Sequence, residues 1–140
     1  MGNLRDLIVE GAKRYEKSDA VGMAADYANS AVLTAPPLMR AEGKEAIRDY
    51  WAESVDTFTN ATVEVGRSCE TADTYFGEFT FRGTNTGDMT MPDGTAIPAT
   101  GKSLEVTGME FARVRDGKII EHNMYWDSVG MMGQLGLLPG

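Results

Sequence analysis

The sequence contains very little of the two residue types that build covalent or metal cross-links. Of its 140 residues, one is cysteine, Cys69, and one is histidine, His122. A single cysteine excludes an internal disulfide, and this composition disfavours a structural zinc site, which needs four ligands mainly of these two types. A chain of this length can bury a sizeable core without such support. We therefore expect a fold held together by its core, without a metal.

Long apolar runs and an excess of positive charge are also missing. No apolar stretch approaches the roughly 20 residues that cross a bilayer, and Met1–Asp6 lacks the apolar run of a signal peptide. Asp and Glu number 21 against 13 Lys and Arg, which gives a net charge of −8. Such a surface repels nucleic-acid phosphates and anionic membranes. The sequence thus predicts a cytoplasmic protein whose partners are small molecules or proteins, with neither a nucleic acid nor a membrane among them.

Apolar residues at helical spacing occupy the first part of the chain. They predict an amphipathic helix from Asn3 to Lys17, with Asn3 as its cap, and a shorter helix from Ser18 to about Asn29. Gly43 precedes a third helix, whose inner stripe includes Trp51. Three helices therefore come before most of the predicted strands.

Strand patterns dominate the rest of the chain. One early strand is predicted at 31–34, where Pro36 and Pro37 end it, and others at 62–65 and 74–84. A turn-rich segment, 87–101, then leads to a long hairpin and a short C-terminal helix. Helices followed by an antiparallel sheet are typical of an α+β fold in which the helices cover one face of the sheet. Because no linker divides the chain, we interpret residues 1–140 as one domain.

The hairpin carries the strongest local signal in the sequence. Asp116-Gly117 favours a type I′ turn, because both central positions of that turn need positive φ. Pairing Arg115 with Lys118 then predicts a set of cross-strand pairs on one face: Arg113 with Ile120, Phe111 with His122, Met109 with Met124, and Thr107 with Trp126. In this register Glu110 lies on the other face. His122 is then the only group titrating near neutral pH that points into the core or pocket.

Several short motifs occur in a fixed order along nearly the whole chain. They are Gly43-Lys-Glu-Ala-Ile47, Gly83-Thr-Asn-Thr-Gly87, Pro98-Ala-Thr-Gly101-Lys102, Asp116-Gly-Lys-Ile119, Glu121-His122, Asp127 and Gln134-Leu-Gly-Leu-Leu-Pro139. This order resembles the SnoaL-like polyketide (ester) cyclases, of the cone-shaped superfamily that includes nuclear transport factor two, steroid isomerase and limonene-epoxide hydrolase. The resemblance implies three N-terminal helices packed in the concave face of a curved, mainly antiparallel sheet. It also implies acid–base chemistry without a cofactor, and homodimers or homotetramers.

The sequence departs from the family at the position where the cyclases carry their working carboxylate. Family members commonly read Glu-His-Trp-Asp, whereas Met124 stands at the fourth position here. His122 and Asp127 are therefore the candidate catalytic residues, with His122 as the acid–base group. Each has a structural alternative. His122 could be a core imidazole bound by a carbonyl or a tyrosine hydroxyl, and Asp127 could cap the C-terminal helix.

The resemblance also implies residues that line a conical pocket. The expected substrate-binding residues are Tyr15, Trp51, Met109, Phe111, Met124 and Trp126. The implied function is a cyclase or isomerase for a hydrophobic, oxygenated, polyketide-like molecule, with epoxide opening as a related possibility. The alternatives are a non-catalytic small-molecule-binding protein, in which Met124 marks lost chemistry, and an interaction domain with a filled cone. An open cavity with polar groups separates the first two from the third.

Overall fold

The computed structural model describes residues 3–36, 38–91 and 93–138. Pro37, expected to help end a strand, lies outside these ranges, as do Pro92 in the turn-rich segment and Pro139 in the last motif. Within them the chain forms, in order, α1 (Leu4–Glu16), α2 (Ala20–Ala24), β1 (Tyr27–Ala35), β2 (Met39–Glu42), α3 (Lys44–Thr57), β3 (Phe58–Glu70), β4 (Thr74–Asn85), β5 (Met89–Thr90), β6 (Ala96–Ile97), β7 (Ser103–Arg115), β8 (Lys118–Trp126) and α4 (Ser128–Gln134).

The first helix begins with the predicted cap, and the second has a similar cap that was not predicted. Asn3 caps α1 by accepting from the backbone N–H of Asp6 at 2.9 Å, and the Asp6 side chain accepts from the Asn3 N–H in return. Asp19 caps α2 by accepting from the backbone N–H of Gly22. The second helix ends at Ala24, earlier than predicted, because the chain enters β1 at Tyr27. The short strand β2 was missed by the sequence pattern.

Six strands form one curved sheet in the order β2-β1-β8-β7-β4-β3. Only β1 and β8 run parallel among these neighbours. Register shifts interrupt the β3–β4 pairing at two places, and such bulges bend and twist a sheet. One core cluster joins this sheet to three helices, through Tyr15 of α1, Met23 of α2 and Trp51 of α3. The predicted α+β cone, with helices in the concave face, is thereby confirmed.

The turn of the β7–β8 hairpin is the predicted one. Asp116 has a φ of 51° and Gly117 a φ of 75°, which are the two positive values that a type I′ turn requires. Arg115 pairs with Lys118, as expected. The turn therefore has the geometry that its two residues favour locally.

Beyond the turn, the predicted register is wrong. A bulge places Val114 opposite Ile119 and Arg113 opposite Glu121, so that Ile120 has no direct partner. From there on the pairs are displaced by one residue relative to the prediction. Ile119, rather than Ile120, is buried on the concave side.

This displacement exchanges the two faces of β7. The residues opposite His122, Met124 and Trp126 are Ala112, Glu110 and Gly108. Met109 and Phe111, expected beside His122, lie on the convex face instead. Glu110, expected on the convex face, lies on the concave side and is buried. The bulge thus brings a carboxylate to the histidine.

Candidate functional site

A cavity of about 160 Å³ lies between the helices and the concave face of the sheet. Its wall is mainly apolar and aromatic, with residues from α1, α3, β3, β4, β7 and β8. A few polar side chains interrupt that wall: Tyr15, Asp26, Tyr27, Tyr50, Ser54, Glu110 and His122. Apolar walls with a small number of placed polar groups are typical of small-molecule sites.

Three of the polar side chains form a buried hydrogen-bonded chain. His122 is 6% exposed and Glu110 is 7% exposed. The imidazole Nε2 lies 2.7 Å from Glu110 Oε1, and Nδ1 lies 2.8 Å from the hydroxyl oxygen of Tyr27. Both ring nitrogens are therefore occupied by protein partners. Only Oε1 of Glu110 takes part in this chain. Its second oxygen, Oε2, has no hydrogen-bond partner among the residues described.

Three strands contribute one residue each to this chain. Glu110 comes from β7 and His122 from β8, and the bulge at Ile120 aligns them on one face. Tyr27 begins β1, the parallel neighbour of β8, and its ring stacks on the imidazole with centroids 6.0 Å apart. A second register shift, between Tyr27 and Val32, separates the tyrosine from the regular pairing of β1. Two irregular strand positions thus assemble the site.

Burial sets the protonation of Tyr27. It raises the pKa of the hydroxyl far above its ordinary value of 10.0, although the neighbouring Trp51 indole opposes part of the rise. The hydroxyl therefore keeps its proton at neutral pH. Beside a neutral imidazole it donates to Nδ1, and Nε2–H donates to Glu110. Beside an imidazolium it accepts from Nδ1–H, so its own hydrogen is free for a ligand.

A separate polar pair lies on the same wall. The hydroxyl groups of Tyr15 and Ser54 are 2.8 Å apart, and the Tyr15 hydroxyl also donates to the Ser54 carbonyl at 3.2 Å. Burial raises the pKa of Tyr15 to about 12, and the hydrogen bond from Ser54 limits the rise. Tyr15 packs edge-on against Trp51. Its hydroxyl is therefore satisfied by the protein itself.

Two indole N–H groups on the cavity wall are not satisfied in this way. The Nε1 atoms of Trp51 and Trp126 are buried, and neither has a hydrogen-bond partner of acceptable geometry in the described part of the chain. Trp126 also lines a second cavity of about 420 Å³, which has several methionine side chains in its wall. The two cavities meet at the five residues that line both: Tyr50, Ser54, Phe58, Trp126 and Met131.

Comparison with known proteins assigns the family. Residues 10–122 match the model of the SnoaL-like domain. The chain belongs to this family. Among curated proteins, no sequence matches it.

Solved structures share the SnoaL-like fold over nearly the whole chain. TsrD from Streptomyces laurentii aligns with a TM-score of 0.81 at 21% identity, covering 96% of each chain. A protein of ketosteroid isomerase-like fold from Catenulispora acidiphila, in complex with trimethylamine, aligns with a TM-score of 0.77 at 16% identity, covering 94% of this chain and 93% of that one. IdmH from Streptomyces antibioticus, a candidate polyketide cyclase, aligns with a TM-score of 0.74 at 27% identity, covering 94% of this chain and 97% of that one.

The SnoaL-like cavity contains some of the residues expected from the sequence and not others. Those on its wall are Tyr15, Trp51, His122, Met124 and Trp126. Met109 and Phe111 are on the convex face, because of the bulge. Asp127 is exposed outside the cavity, where its carboxylate accepts from the backbone N–H of Gly130 at 2.8 Å and caps α4. Its predicted structural alternative is thus the role seen here.

Sequence reasoning missed two residues of the hydrogen-bonded chain, Glu110 and Tyr27. A signal for Glu110 was present in β7. Its concave face is Leu104, Val106, Gly108, Glu110 and Ala112, which is more apolar than the alternate set. One charged residue in an otherwise apolar alternation indicates an inward carboxylate. Tyr27 carried no such signal, because it follows α2 without a motif of its own.

The described residues form neither a cluster of metal-ligand side chains nor a membrane-spanning helix. Residues 3–36, 38–91 and 93–138 contain no group of three or more His, Cys, Asp or Glu side chains placed to hold a metal ion. None of the helices they form has the length and apolar character needed to cross a bilayer.

Proposed function

We propose that the protein is a cofactor-independent enzyme of the cyclase or isomerase kind, which performs acid–base chemistry on a hydrophobic, oxygenated small molecule in the cavity. The supporting observation is the buried chain Glu110–His122–Tyr27 on an apolar cavity wall. Buried ionisable groups that converge on a pocket are typical of catalytic sites. The family and the IdmH likeness favour a polyketide-like substrate.

Glu110 lies opposite the position at which this sequence departs from the family pattern. Met124 occupies the position where we expect the cyclase carboxylate, and Glu110 is its direct cross-strand partner. Directly opposed Cβ atoms lie about 5 Å apart. A carboxylate on β7 can therefore reach the same part of the cavity as a carboxylate at position 124 of β8. We propose that Glu110 performs the acid–base step in its place.

Glu110 acts as the base through Oε2, the oxygen that no described residue binds. It removes a proton from a carbon beside a ligand carbonyl, the C–H electron pair forms a carbon–carbon double bond, and the carbonyl pair moves to oxygen. In an isomerisation, Glu110 returns the proton to another carbon. In a cyclisation, the enolate carbon attacks a second carbonyl, whose oxygen receives the proton. Glu110 ends either cycle as the carboxylate.

Tyr27 and His122 stabilise the negative charge that develops on the enolate oxygen. When His122 is an imidazolium held by Glu110, Nδ1–H donates to the Tyr27 oxygen, and the Tyr27 hydroxyl donates to the enolate oxygen. Because both ring nitrogens have protein partners, His122 acts through its neighbours as a positioning residue. The apolar wall strengthens these contacts by excluding water.

The second candidate function is ligand binding without chemistry. Met124 on the cavity wall favours it, because an apolar side chain stands where the family has its expected carboxylate. In that case the Glu110–His122–Tyr27 chain would orient a bound molecule and transfer no proton. The two candidates differ in what the loss of the Glu110 carboxylate changes. An enzyme loses most of its turnover, whereas a binding protein loses only part of its ligand affinity.

The discriminating experiment replaces Glu110 by Gln, which keeps the size of the side chain and removes its basicity. Aromatic polyketide esters and steroid-like ketones are screened by native mass spectrometry, and each binder is assayed for turnover. We expect Glu110→Gln to lower turnover by about 100-fold or more, the usual contribution of a positioned base, with little change in melting temperature. A pure binder would lose only about tenfold in affinity, as for one hydrogen bond.

The matched control is Glu105→Gln. Glu105 is on the same strand but on the convex face, where it pairs with Arg82 in solvent. We expect unchanged turnover from it. His122→Phe should lower turnover, and it should also lower the melting temperature, because the Glu110 carboxylate and the Tyr27 hydroxyl lose a buried partner even though an apolar ring of similar size fills the site. Full activity in both Glu110→Gln and His122→Phe would refute the proposed chemistry.

We also propose that the protein is a homodimer, or a homotetramer built from such dimers, joined through the convex face of the sheet. Tyr125 is 50% exposed there, beside exposed Met109 and its neighbours Phe76 and Phe111. Glu110, which we had expected on this face, is absent from it. This cluster of large apolar and aromatic side chains is bordered by the charged Glu78 and Arg113, and an apolar centre with a polar border suits a two-fold contact. Sedimentation at micromolar concentration tests this, and a single species at the 15.2 kDa chain mass would contradict it.

A further inference from the structure

Two hydrogen-bond donors on the cavity wall are left without an acceptor. Trp51 is 8% exposed and Trp126 is partly buried, and the Nε1 atom of each is shielded from solvent. Neither Nε1–H meets an acceptor among residues 3–36, 38–91 and 93–138. A buried donor without a partner is costly, because it has lost its hydrogen bonds to water without replacing them, and native structures contain few. Two on one cavity wall therefore require an explanation.

The chemistry of indole restricts what can satisfy these groups. An indole N–H donates one hydrogen bond and accepts none, so its partner must offer a lone pair. The Tyr27 hydroxyl is close enough to the Trp51 N–H for the contact to lower the Tyr27 pKa, but the contact does not reach full hydrogen-bond geometry, so Tyr27 is a weak acceptor for this donor. Tyr15, whose ring packs against Trp51, has its hydroxyl occupied by Ser54. Both indoles line the cavity, so a molecule bound there is a source of the acceptors that the described residues do not supply.

We propose that Trp51 and Trp126 are specificity-determining donors, which bind acceptor oxygens of the oxygenated ligand proposed above. This inference rests on the proposed use of the cavity as a ligand site, but not on the acid–base chemistry there. Trp51 is next to the Glu110–His122–Tyr27 chain, whereas Trp126 is where the two cavities meet. The ligand thus carries oxygens both beside the reacting region and towards the second cavity.

The test compares two probes that differ in one oxygen atom. 1-Tetralone is a bicyclic ketone, and tetralin is the hydrocarbon of the same shape with a methylene in place of the carbonyl. Titration calorimetry on the wild-type protein should show tighter binding of the ketone, by about tenfold or more, as for one hydrogen bond. Equal affinities for the two probes in the wild-type protein would overturn the proposal.

The variants Trp51→Phe and Trp126→Phe remove the N–H and keep an aromatic ring. A small probe has one carbonyl, so we expect at least one of the two variants to lose about tenfold in tetralone affinity while its tetralin affinity is unchanged. A parallel loss for both probes would show that the indoles act by packing alone. No loss for either probe in either variant would show that they do not contact the ligand. Either result refutes the inference.

Tyr75→Phe supplies the matched control. The Tyr75 hydroxyl is a third buried group with no partner among the described residues, but Tyr75 is not on the wall of the cavity. Removing it should leave both affinities unchanged. The Glu110→Gln assay separates this inference from the proposed chemistry. A tryptophan variant that loses affinity only for the ketone, together with full activity in Glu110→Gln, would support the indoles as ligand donors and would refute Glu110 as the catalytic base.

Discussion

Asn85 and His122 are both buried polar residues of the same sheet, but they differ in how completely the protein satisfies the hydrogen-bonding groups around them. Asn85 is fully buried, and its side chain donates to the carbonyls of Thr57, at 3.3 Å, and Gly87, at 2.8 Å. Its oxygen accepts from the backbone N–H and the hydroxyl of Thr100, at 2.8 and 2.9 Å. Every hydrogen-bonding group of this amide is bound by the protein.

Around His122 the hydrogen bonding is incomplete. Glu110 keeps one oxygen without a partner in the described chain, and the indoles of Trp51 and Trp126 keep one hydrogen each. A polar cluster that is fully satisfied fixes structure, which at Asn85 means anchoring the segment 86–101 to the sheet. A cluster that keeps unused donors and acceptors beside a cavity can bind a ligand. By this criterion Asn85 is a structural polar site, and the cluster around His122 is the candidate functional site.

The strongest challenge to this comparison is Asn85→Ala. The change leaves the Gly87 carbonyl and the Thr100 N–H without their partners, whereas the Thr57 carbonyl keeps the backbone N–H groups of Thr86 and Gly87. With the cavity left by the missing amide, we expect a loss of about 3 kcal/mol in the free energy of unfolding. Thermal unfolding followed by circular dichroism should show a melting temperature lower by about 10 °C. Thr84→Ala, on the solvent side of the same strand, should have almost no effect. Equal melting temperatures for the two variants would contradict the structural role of Asn85.

The second prediction uses the buried tyrosines of the cavity. Tyr15 has a pKa of about 12 in the folded protein, and that of Tyr27 is raised further, whereas an unfolded tyrosine titrates near pH 10. Their stabilisation is therefore fully present below about pH 10 and is lost as the pH rises through the folded values. Denaturant titrations at about pH 8 and pH 11 should show this loss. Tyr27→Phe should reduce it, and an equal loss in that variant would argue against buried ionisation.

The smallest expected effect is that of Ser54→Ala. The Tyr15 hydroxyl loses the Ser54 side chain but keeps the Ser54 carbonyl as an acceptor, so it is not left unpaired. We expect a loss of less than about 1 kcal/mol in the free energy of unfolding, with ligand affinity unchanged. Denaturant unfolding at neutral pH measures the first and probe titration the second. A tenfold loss of affinity would place the Tyr15–Ser54 pair with the functional cluster instead.

Local chemistry in the sequence was sufficient for much of this fold. The capping box at Asn3, the Asp116-Gly117 turn, the helical spacing of the first 58 residues and the cap at Asp127 all depend on residues within a few positions of each other. Such features are decided by short-range geometry and hydrogen bonding. The sequence by itself therefore determined where most elements begin, that helices cover a curved sheet, and that His122, Met124 and Trp126 share its inner face.

Only the tertiary structure decided which residues surround His122. Strand alternation has a period of two, so one unpaired residue, Ile120, exchanges the faces of all of β7 beyond it and brings in Glu110. Tyr27 arrives from a strand 95 positions earlier, through a parallel pairing that no short motif encodes. The Glu110–His122–Tyr27 chain depends on these long-range strand alignments. They are fixed by side-chain packing throughout the cone and not by any local sequence preference.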